Sequence, residues 1–228
     1  KGEPKNRIES TSLYFYLGNQ TAPGGYAWIF PKNNGTFNVG LGISYLYSKK
    51  KKALEFLKEF IQSRFQSYEI VNEIAGGAPI PGNKIQFVSH RAVLLGDAAG
   101  HCNPLSGGGI INAMEGAEIL VNSVKKHLRD DCLTVKKLMD YKKNWNKKNG
   151  RKIELYYAMK KSFFRLEDDE YDRFVDSLAH IIQQKNRKLG VPDVIRLFIM
   201  ILKNHYSLSI SFLWEWLKGK IFFHKDDK

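Results

Sequence analysis

The alternation of apolar and polar residues divides the chain into a strand-rich beginning and a helix-rich remainder. In the first 45 residues, three short segments rich in aromatic or β-branched residues follow one another: TSLYFYLG, GYAWIF and TFNVGLGI. The links between them contain APGG and PKNNG, in which Asn-Gly is typical of a turn. Because such short links join strands that are neighbours in space, the pattern predicts an antiparallel meander of three strands.

Helical spacing first occurs after this meander. Between Lys49 and Phe65 the apolar residues recur three and four positions apart, which predicts one helix. From Tyr68 to Ile80 the pattern returns to that of a strand, with Gly76 and Gly77 as the expected bulge. These segments are therefore expected to form an antiparallel sheet with one covering helix.

The second part of the chain is predicted to be mainly helical. Arg91 to Leu95 is expected to be a short buried strand, and Ser106 to Leu128 has the apolar spacing of a long amphipathic helix. Further helices are predicted at Leu133–Lys161, at Tyr171–Lys188 and in the apolar tail Asp193–Phe223. Within the tail, apolar residues recur at every second position from 208 to 216, which is typical of a strand. The expected fold class is α+β: an antiparallel sheet, a strand–glycine loop–helix segment and a helical C-terminal region.

The segment VLLGDAAGHCNPLSGGGIINAMEG, from Val93 to Gly116, joins the predicted strand to the long helix. The first turn of a helix has unpaired N–H groups and a partial positive charge, and glycines let a ligand approach the backbone closely. Asp97 ends the strand and offers an acceptor for sugar hydroxyls. An acceptor for a polyol beside helix amides favours a flavin site, whereas the alternative is a tight turn with a capping aspartate.

The charge balance indicates an anionic partner. With 36 Lys and Arg against 23 Asp and Glu the net charge is +13, which fits a membrane surface, a phosphorylated ligand, nucleic acid or simply a lysine-rich solvated surface. No nucleic-acid module or metal-ligand spacing accompanies the charge, so neither nucleic acid nor a metal is expected as a partner. Cys102 and Cys132 form no disulfide framework, and no 18-residue apolar run occurs. A reducing, cytoplasmic location is therefore expected.

Two motifs carry a resemblance to a known family. GDAAGHCNPLSGGGIINAMEG resembles the second flavin motif of the para-hydroxybenzoate hydroxylase-like flavoproteins. More narrowly, PGGYAWIFPK followed by NVGLG resembles the geranylgeranyl reductase family, in which an aromatic Y-x-W-x-F-P segment precedes the glycine motif at about this distance. The resemblance covers Gly24 to Leu128, and the helical tail is similar only in character.

The resemblance implies an FAD site in the glycine loop. Asp97 would bind the ribityl chain, and the backbone amides of Gly108, Gly109 and Ile110 would lie at the pyrimidine edge of the flavin ring, where they stabilise negative charge. His101 and Cys102 are expected to be loop residues rather than catalytic ones, and no proton donor is identified. The residues expected to bind the cofactor are Gly96, Asp97, Pro104, Gly107, Gly108, Gly109 and Ile110.

The resemblance also implies a substrate cavity and a reaction. Tyr26, Trp28, Phe30 and Pro31 would line the cavity over the flavin, although YAWIF on its own is equally typical of an ordinary strand with alternating faces. The implied reaction is the reduction of C=C bonds in a polyprenyl lipid chain by reduced FAD, with NAD(P)H or a ferredoxin-like protein as the electron donor. Two alternatives stay open: a flavin-dependent hydroxylase of the same superfamily, and a non-catalytic lipid-binding module.

The expected domains follow from the same resemblance. Residues 1–90 would form a partial substrate-binding sheet domain, 91–130 the returning part of an FAD-binding domain, and 131–228 a helical region. In the helical region, Trp214, Trp216, Phe222 and Phe223 lie between lysines, which implies either peripheral contact with the inner face of a membrane or packing onto the helices.

One element of the family pattern is absent from the sequence, because no GxGxxG motif follows a strand. The chain is therefore expected to be a C-terminal fragment whose partner is the N-terminal half that holds the ADP part of FAD. Alone it is expected to be colourless and inactive, with exposed apolar surface near Val93 to Leu95.

Overall fold

The computed structural model describes residues 1–80, 85–127 and 133–185, together with Ile210 and Trp214. The predicted tail helix at Asp193–Phe223 lies outside these residues except at those two positions. The described residues divide into two compact units, one formed by Lys1–Ile74 with residues from Phe163 to Lys185 and the other by Ala75–Ser162. The domain boundaries at residues 90 and 130 stay a prediction.

The described elements are helices and antiparallel strands, which agrees with the coarse prediction of a mixed fold. The strands are β1 (Gly2–Pro4), β2 (Tyr14–Tyr16), β3 (Tyr26–Pro31), β4 (Phe37–Gly42), β5 (Phe65–Tyr68), β6 (Val88–Ser89) and β7 (Ala92–Val93). The helices are α1 (Tyr45–Ser48), α2 (Ala53–Arg64), α3 (Ile110–Val124), α4 (Val135–Trp145), α5 (Arg151–Phe163) and α6 (Asp168–Lys185).

The first unit contains the predicted three-stranded meander. Strands β2, β3 and β4 pair in that order and are antiparallel, with Tyr14 opposite Ile29 and Ile29 opposite Val39. The link between β3 and β4 turns at Asn34 and Gly35, whose φ angles of 61° and 65° lie in the left-handed region. Asn and Gly tolerate this region best, so the Asn-Gly signal and the meander are both confirmed.

One face of the meander forms the core of the first unit. Ala27 and Ile29 of β3 are fully buried against Phe60 of α2 and Phe65 of β5. The helix predicted over Lys49–Phe65 is confirmed as α2, which begins four residues later, at Ala53. The short helix α1, which precedes this range, was not predicted.

The strand predicted at Tyr68–Ile80 is wrong beyond its first residue. The observed strand is β5, which pairs antiparallel with β1, whereas residues 69–80 are described without helix or strand. Ile70, Val71 and Ile74 are 55%, 69% and 88% exposed. A strand needs a hydrogen-bonded neighbour as well as an apolar pattern. Glu69 exchanges backbone hydrogen bonds with Lys1, but no described residue pairs with the backbone of residues 70–80. Gly76 and Gly77 are therefore not a strand bulge.

Helix α6 is fixed to the meander of the same unit by a polar anchor. The backbone N–H of Asn19 donates to Asp168 Oδ1 at 2.6 Å, and Asn19 Nδ2 donates to the carbonyl oxygen of Leu166 at 2.7 Å. Below this anchor Leu166 and Tyr171 are buried against Leu17. The predicted helix over Tyr171–Lys188 is confirmed as far as Lys185, and it starts three residues earlier than expected.

In the second unit the buried strand predicted at Arg91–Leu95 is reduced to a two-residue strand, β7, which pairs with β6. Arg91 turns the chain between them with a φ angle of 57°. The predicted burial is wrong, because Ala92 and Leu94 are exposed, Leu94 by 44%. Among the described residues β6 is the only strand that pairs with this segment. The N–H of Arg91 also donates to the carbonyl oxygen of Leu133 at 3.1 Å, and the Tyr141 hydroxyl donates to that of Leu94 at 3.3 Å.

The long helix predicted at Ser106–Leu128 is confirmed as α3, but its buried face differs from the apolar stripe. Ile110, Met114 and Val121 are 79%, 66% and 59% exposed, whereas Gly116 and Ser123 are buried. Gly116 is buried because a neighbouring ring system occupies the space beside it, as described below. Further along the helix, Ile119, Leu120 and Val124 pack against the core.

The helices that follow agree with the prediction for Leu133–Lys161. Helix α4 runs through a wide turn at Asn146–Gly150 into α5. Leu138, Tyr141 and Trp145 of α4 form the core of this unit with Phe87 and Val88. In the part of the chain described here, no helix combines the length and apolar character needed to cross a bilayer.

The anchor between Asn19 and Asp168 generates a stability prediction. Asp168→Ala removes a charge-assisted hydrogen bond and is expected to lower the free energy of unfolding by about 1–2 kcal/mol. The matched control is Asp169→Ala, because the exposed pair of Asp169 with Arg173 contributes little. Urea denaturation monitored by circular dichroism measures both variants. Equal losses in the two would show that the anchor does not hold α6.

Candidate functional site

The glycine loop of the second unit begins with a tight 3-10 turn at Gly96–Ala99. Gly96, Gly100 and Gly107 have φ angles of 58°, 69° and 70°, a region that side chains with a Cβ rarely adopt. The backbone N–H groups of Gly100 and His101 donate to the carbonyl oxygens of Asp97 and Gly96 at 2.9 and 3.0 Å. The loop is therefore closed by its own backbone, and glycine is required at its turning points.

The loop brings Asp97 and Gly109 together. Asp97 is exposed, and its carboxylate lies so close to Gly109 that a Cβ added there would overlap Asp97 Oδ1. Gly109 precedes α3, whose first turn closes when the N–H of Ala113 donates to the Gly109 carbonyl oxygen at 2.8 Å. An exposed carboxylate thus sits beside the N-terminus of α3, where backbone N–H groups are left unpaired by the helix.

The other predicted cofactor-binding residues take different positions in the same loop. Gly107 and Gly108 are exposed, and so is Ile110 at the start of α3, whereas Gly96 and Pro104 are buried. Gly107, Gly108 and Ile110 therefore expose their backbone to solvent, whereas Gly96 and Pro104 form the buried side of the loop.

Asn103 organises the loop and was not identified from the sequence. Its Oδ1 accepts hydrogen bonds from the N–H groups of Leu105 and Ser106 at 2.9 and 3.3 Å. Its backbone N–H donates to the carbonyl oxygen of Gly108 at 2.8 Å, and its carbonyl oxygen accepts from Gly107 at 2.9 Å. The Asn-Pro pair was an available signal, because asparagine side chains stabilise turns of this kind.

Cys102 is fully buried in the loop. Its thiol donates to the carbonyl oxygen of Gly107 at 3.1 Å. Burial, followed by the negative charge of Asp97, raises the pKa of the Cys102 thiol. The group therefore stays protonated at neutral pH, which suits a small interior residue.

His101 is also fully buried, and its ring stacks on that of Trp145. The two ring centroids are 3.6 Å apart with an angle of 16° between the planes. Within the described residues neither ring nitrogen has a hydrogen-bond partner. Burial lowers the pKa of His101 from 6.5 to about 4, so the ring is neutral at physiological pH.

Helix α3 holds this histidine from the other side. A Cβ at Gly116 would lie 2.8 Å from His101 Nδ1, so only glycine leaves room for the ring. Asn112 Nδ2 donates to the carbonyl oxygen of His101 at 2.6 Å. The glycine loop, α3 and α4 are therefore fixed to one another through a single residue.

A second candidate site lies on the first unit, on the face of the meander opposite the core. Tyr26, Trp28 and Phe30 alternate with the buried Ala27 and Ile29 and are only partly exposed. Successive ring centroids along this row are 5.8 and 6.1 Å apart. Strand β3 thus has two different faces. One face packs into the core, and the other carries the row of aromatic side chains.

Phe15 of β2 completes this aromatic face and was not identified from the sequence. Its ring centroid lies 5.8 Å from that of Tyr26 and 5.3 Å from that of Phe30. The alternation in LYFYL contained the signal, because Phe15 pairs with Trp28 across the strands. Pro31, by contrast, shares the alternation of Ala27 and Ile29 and lies on the core side of β3.

Strand β4 leaves the aromatic face open on one side. Gly40 and Gly42 lie opposite Trp28 and Tyr26. A Cβ at Gly40 would overlap the Trp28 ring, whereas no described atom lies within 4 Å of a Cβ at Gly42. Trp28 Nε1 donates to Asn38 Oδ1 at 2.7 Å, which holds the indole flat over the glycine. The four aromatic residues therefore form a broad apolar shelf.

The chain is similar to known geranylgeranyl reductases. Residues 3–78, which include the whole aromatic face, match the model of the geranylgeranyl reductase catalytic domain. The digeranylgeranylglycerophospholipid reductase 1 of Methanococcoides burtonii is 35% identical over 189 residues, which is 82% of this chain and 45% of that protein. The digeranylgeranylglycerophospholipid reductase of Methanothrix thermoacetophila is 34% identical over 209 residues, 91% of this chain and 51% of that protein. The chain spans about half the length of the curated relatives it matches.

A solved structure shares the fold. The crystal structure of a geranylgeranyl bacteriochlorophyll reductase-like protein from Thermoplasma acidophilum superposes with a TM-score of 0.73 at 24% identity. The superposition covers 89% of this chain and 52% of that protein.

The buried, neutral state of His101 predicts a pH dependence of stability. Its pKa is about 4 in the folded chain and near 6.5 when exposed, so unfolding takes up a proton between these values. The free energy of unfolding is therefore expected to be highest above pH 6.5 and to fall by about 3 kcal/mol towards pH 4. His101→Phe keeps the stacking and should flatten this part of the profile, whereas His90→Phe, at an exposed histidine, should not. Identical profiles for all three proteins would refute the assignment.

The contact between Gly116 and His101 gives a second prediction. Gly116→Ala should destabilise the chain by about 1–3 kcal/mol, although alanine is the better helix former, because the methyl group displaces the histidine from Trp145. Gly76→Ala is the control, since no described atom lies within 4 Å of its Cβ position. Thermal unfolding of both variants is the measurement, and a Gly116→Ala protein as stable as the wild type would contradict the packing.

Proposed function

Because the chain belongs to the geranylgeranyl reductase family, we propose that it acts in the flavin-dependent reduction of C=C bonds in the polyprenyl chains of a glycerophospholipid. The observation that carries the proposal is the position of the aromatic face, which lies within the residues that match the catalytic domain of that family. The curated relatives are named as reductases of digeranylgeranylglycerophospholipids, which favours reduction over the hydroxylase and over a non-catalytic lipid-binding module.

The residues of the glycine loop fit FAD. Asp97 offers an exposed carboxylate that can accept hydrogen bonds from ribityl hydroxyls. The Gly109 α-carbon has no room for a Cβ, and the exposed backbone at Gly107 and Gly108 lets a ring approach closely. The N-terminus of α3 adds unpaired N–H groups and a favourable dipole for the electron-rich edge of a flavin. Gly96 and Pro104 would support the loop from its buried side.

The bound flavin would supply the hydride for the reduction. Tyr26, Trp28, Phe30 and Phe15 would hold the polyprenyl chain against an apolar wall and exclude water from it. Asp97 would orient the cofactor, and the α3 amides would stabilise negative charge on its reduced ring. Pro31 would support this wall from the core side and not contact the chain.

Neither His101 nor Cys102 is assigned a role in proton transfer. His101 is fully buried and neutral, and its ring is stacked on Trp145. The Cys102 thiol is buried and bonded to a backbone carbonyl. Both residues instead fix the shape of the loop.

The proposal extends to the partners of the reaction. A glycerophospholipid substrate implies contact with a membrane surface, for which the net charge of +13 is suitable. Trp214, in the tail for which the sequence implies either membrane contact or packing onto the helices, is 58% exposed. NAD(P)H or a ferredoxin-like protein is proposed as the electron donor.

The role of Asp97 predicts a loss of flavin. Asp97→Ala, made in the protein expressed from its complete reading frame, should weaken FAD binding by about 1.5–3 kcal/mol through loss of a charge-assisted hydrogen bond. Glu118→Ala, an exposed carboxylate on α3, serves as the control and should retain FAD. Flavin absorbance after gel filtration is the readout. Full retention of FAD by Asp97→Ala would place the ribityl chain elsewhere.

The same preparations test the reaction. Wild-type protein whose flavin has been chemically reduced should add two hydrogen atoms per double bond to a digeranylgeranylglycerophospholipid, as measured by mass spectrometry. A flavin-loaded protein that leaves the lipid unchanged, or that consumes oxygen to hydroxylate it, would refute the proposed function.

A further inference from the structure

An open pocket of about 450 Å³ lies in the first unit, apart from the aromatic face but joined to it. It is bounded by β2 and the residue after it, by the last residue of α2 and by the first turns of α6. The lining residues that matter here are Phe15, Leu17, Arg64, Asp172, Val175 and Asp176.

Arg64 brings a fixed positive charge to the pocket. Its guanidinium lies over the ring of Tyr16, 4.6 Å from the centroid, and 5.8 Å from that of Phe60. Its Nε is buried and has no hydrogen-bond partner within the part of the chain that the structure describes. Arginine does not lose its proton in proteins, so this side chain brings a permanent cation to the pocket, which suits a phosphate.

The opposite charge comes from α6. Asp172 and Asp176 are one helical turn apart and both line the pocket. Their acidic neighbours have structural partners: Asp168 accepts from Asn19, and Asp169 pairs with Arg173. No hydrogen bond or ion pair to another described residue engages Asp172 or Asp176, so their carboxylates remain able to bind a ligand.

The combined charge selects between classes of ligand. One guanidinium against two carboxylates repels a ligand that carries only a phosphate, because the pocket is negative overall. A zwitterion satisfies all three side chains when its phosphate lies at Arg64 and its ammonium group at Asp172 and Asp176.

Phe15 connects this pocket to the aromatic face. Its side chain is 58% exposed and lines the pocket, while its ring contacts Tyr26 and Phe30. Leu17 and Val175 add apolar wall beside it. An amphiphile with its polar end in the pocket can therefore lay its hydrocarbon over Phe15 and onto the shelf.

We propose that this pocket binds the zwitterionic head group of an aminophospholipid, with the phosphate at Arg64, the ammonium group at Asp172 and Asp176, and the hydrocarbon chains leading past Phe15 to the aromatic face. The inference rests on the proposed function, since it names the head group of the lipid whose chains that face would hold. It adds a determinant of substrate choice that acts on the head group of the lipid.

Binding of soluble short-chain lipids tests the head-group site. By isothermal titration calorimetry, dihexanoyl phosphatidylethanolamine should bind about tenfold more tightly than dihexanoyl phosphatidylglycerol, which lacks the ammonium group. The double variant Asp172→Asn/Asp176→Asn should lose this preference, whereas the matched control Asp169→Asn should keep it. Equal affinities in the wild type, or an unchanged preference in the double variant, would overturn the proposal.

Two further variants distinguish loss of the binding site from a general loss of folding. Arg64→Gln should weaken both lipids alike, and Val175→Trp, at a residue that is 46% exposed, should block both by filling the pocket. Circular dichroism checks that each variant is folded. Val175→Trp protein that is folded and binds phosphatidylethanolamine as the wild type does would place the head group elsewhere.

Free phosphoethanolamine distinguishes a lipid head group from a soluble metabolite. It should bind at least about tenfold more weakly than the lipid, because it makes no contact with Phe15. Equal affinity would refute the passage of the chains over that residue. The probe lipids are saturated, and the binding assay needs no flavin. Failure of alkene reduction would therefore not change the binding result. Loss of the head-group preference would likewise leave the reductase assignment intact.

Discussion

The stacking of the buried His101 ring on Trp145 is the contact on which the glycine loop depends. It joins a loop, a helix start and a distant helix through one residue whose ring nitrogens have no partner among the described residues. An uncharged ring can occupy such a place and a charged one cannot, because burial penalises the imidazolium. The position of Asp97 beside Gly109 follows from this support, since both lie on segments that the histidine holds in place.

The sequence predicted the fold well wherever a local rule decides the structure. Alternation and Asn-Gly specify the meander, and apolar spacing specifies α2, α3 and α6. Prediction failed at residues 69–80, where the strand pattern is present but no described strand pairs with it. Prediction also failed to identify Gly116 as a buried position of α3, where the ring of His101 from the preceding loop fills the adjacent space. Both errors come from partners that local spacing does not reveal.

The sequence motifs of the candidate sites could be predicted, but the residues that hold those motifs in place could be predicted less well. Asp97 and Gly109, which lie in contact, were singled out by the glycine loop. Trp145 lies 44 positions after His101, and nothing near either residue indicates that they stack. The head-group pocket draws Arg64 and Asp176 from opposite halves of the sequence, so only the fold reveals it.

The packing of Trp28 over Gly40 has a consequence for how this family varies. The indole fills the space that a side chain on β4 would occupy, and its Nε1 is held by Asn38. A residue larger than glycine at position 40 can be accepted only together with a smaller one at position 28. The two positions are therefore expected to vary together, with a larger side chain at one offset by a smaller side chain at the other.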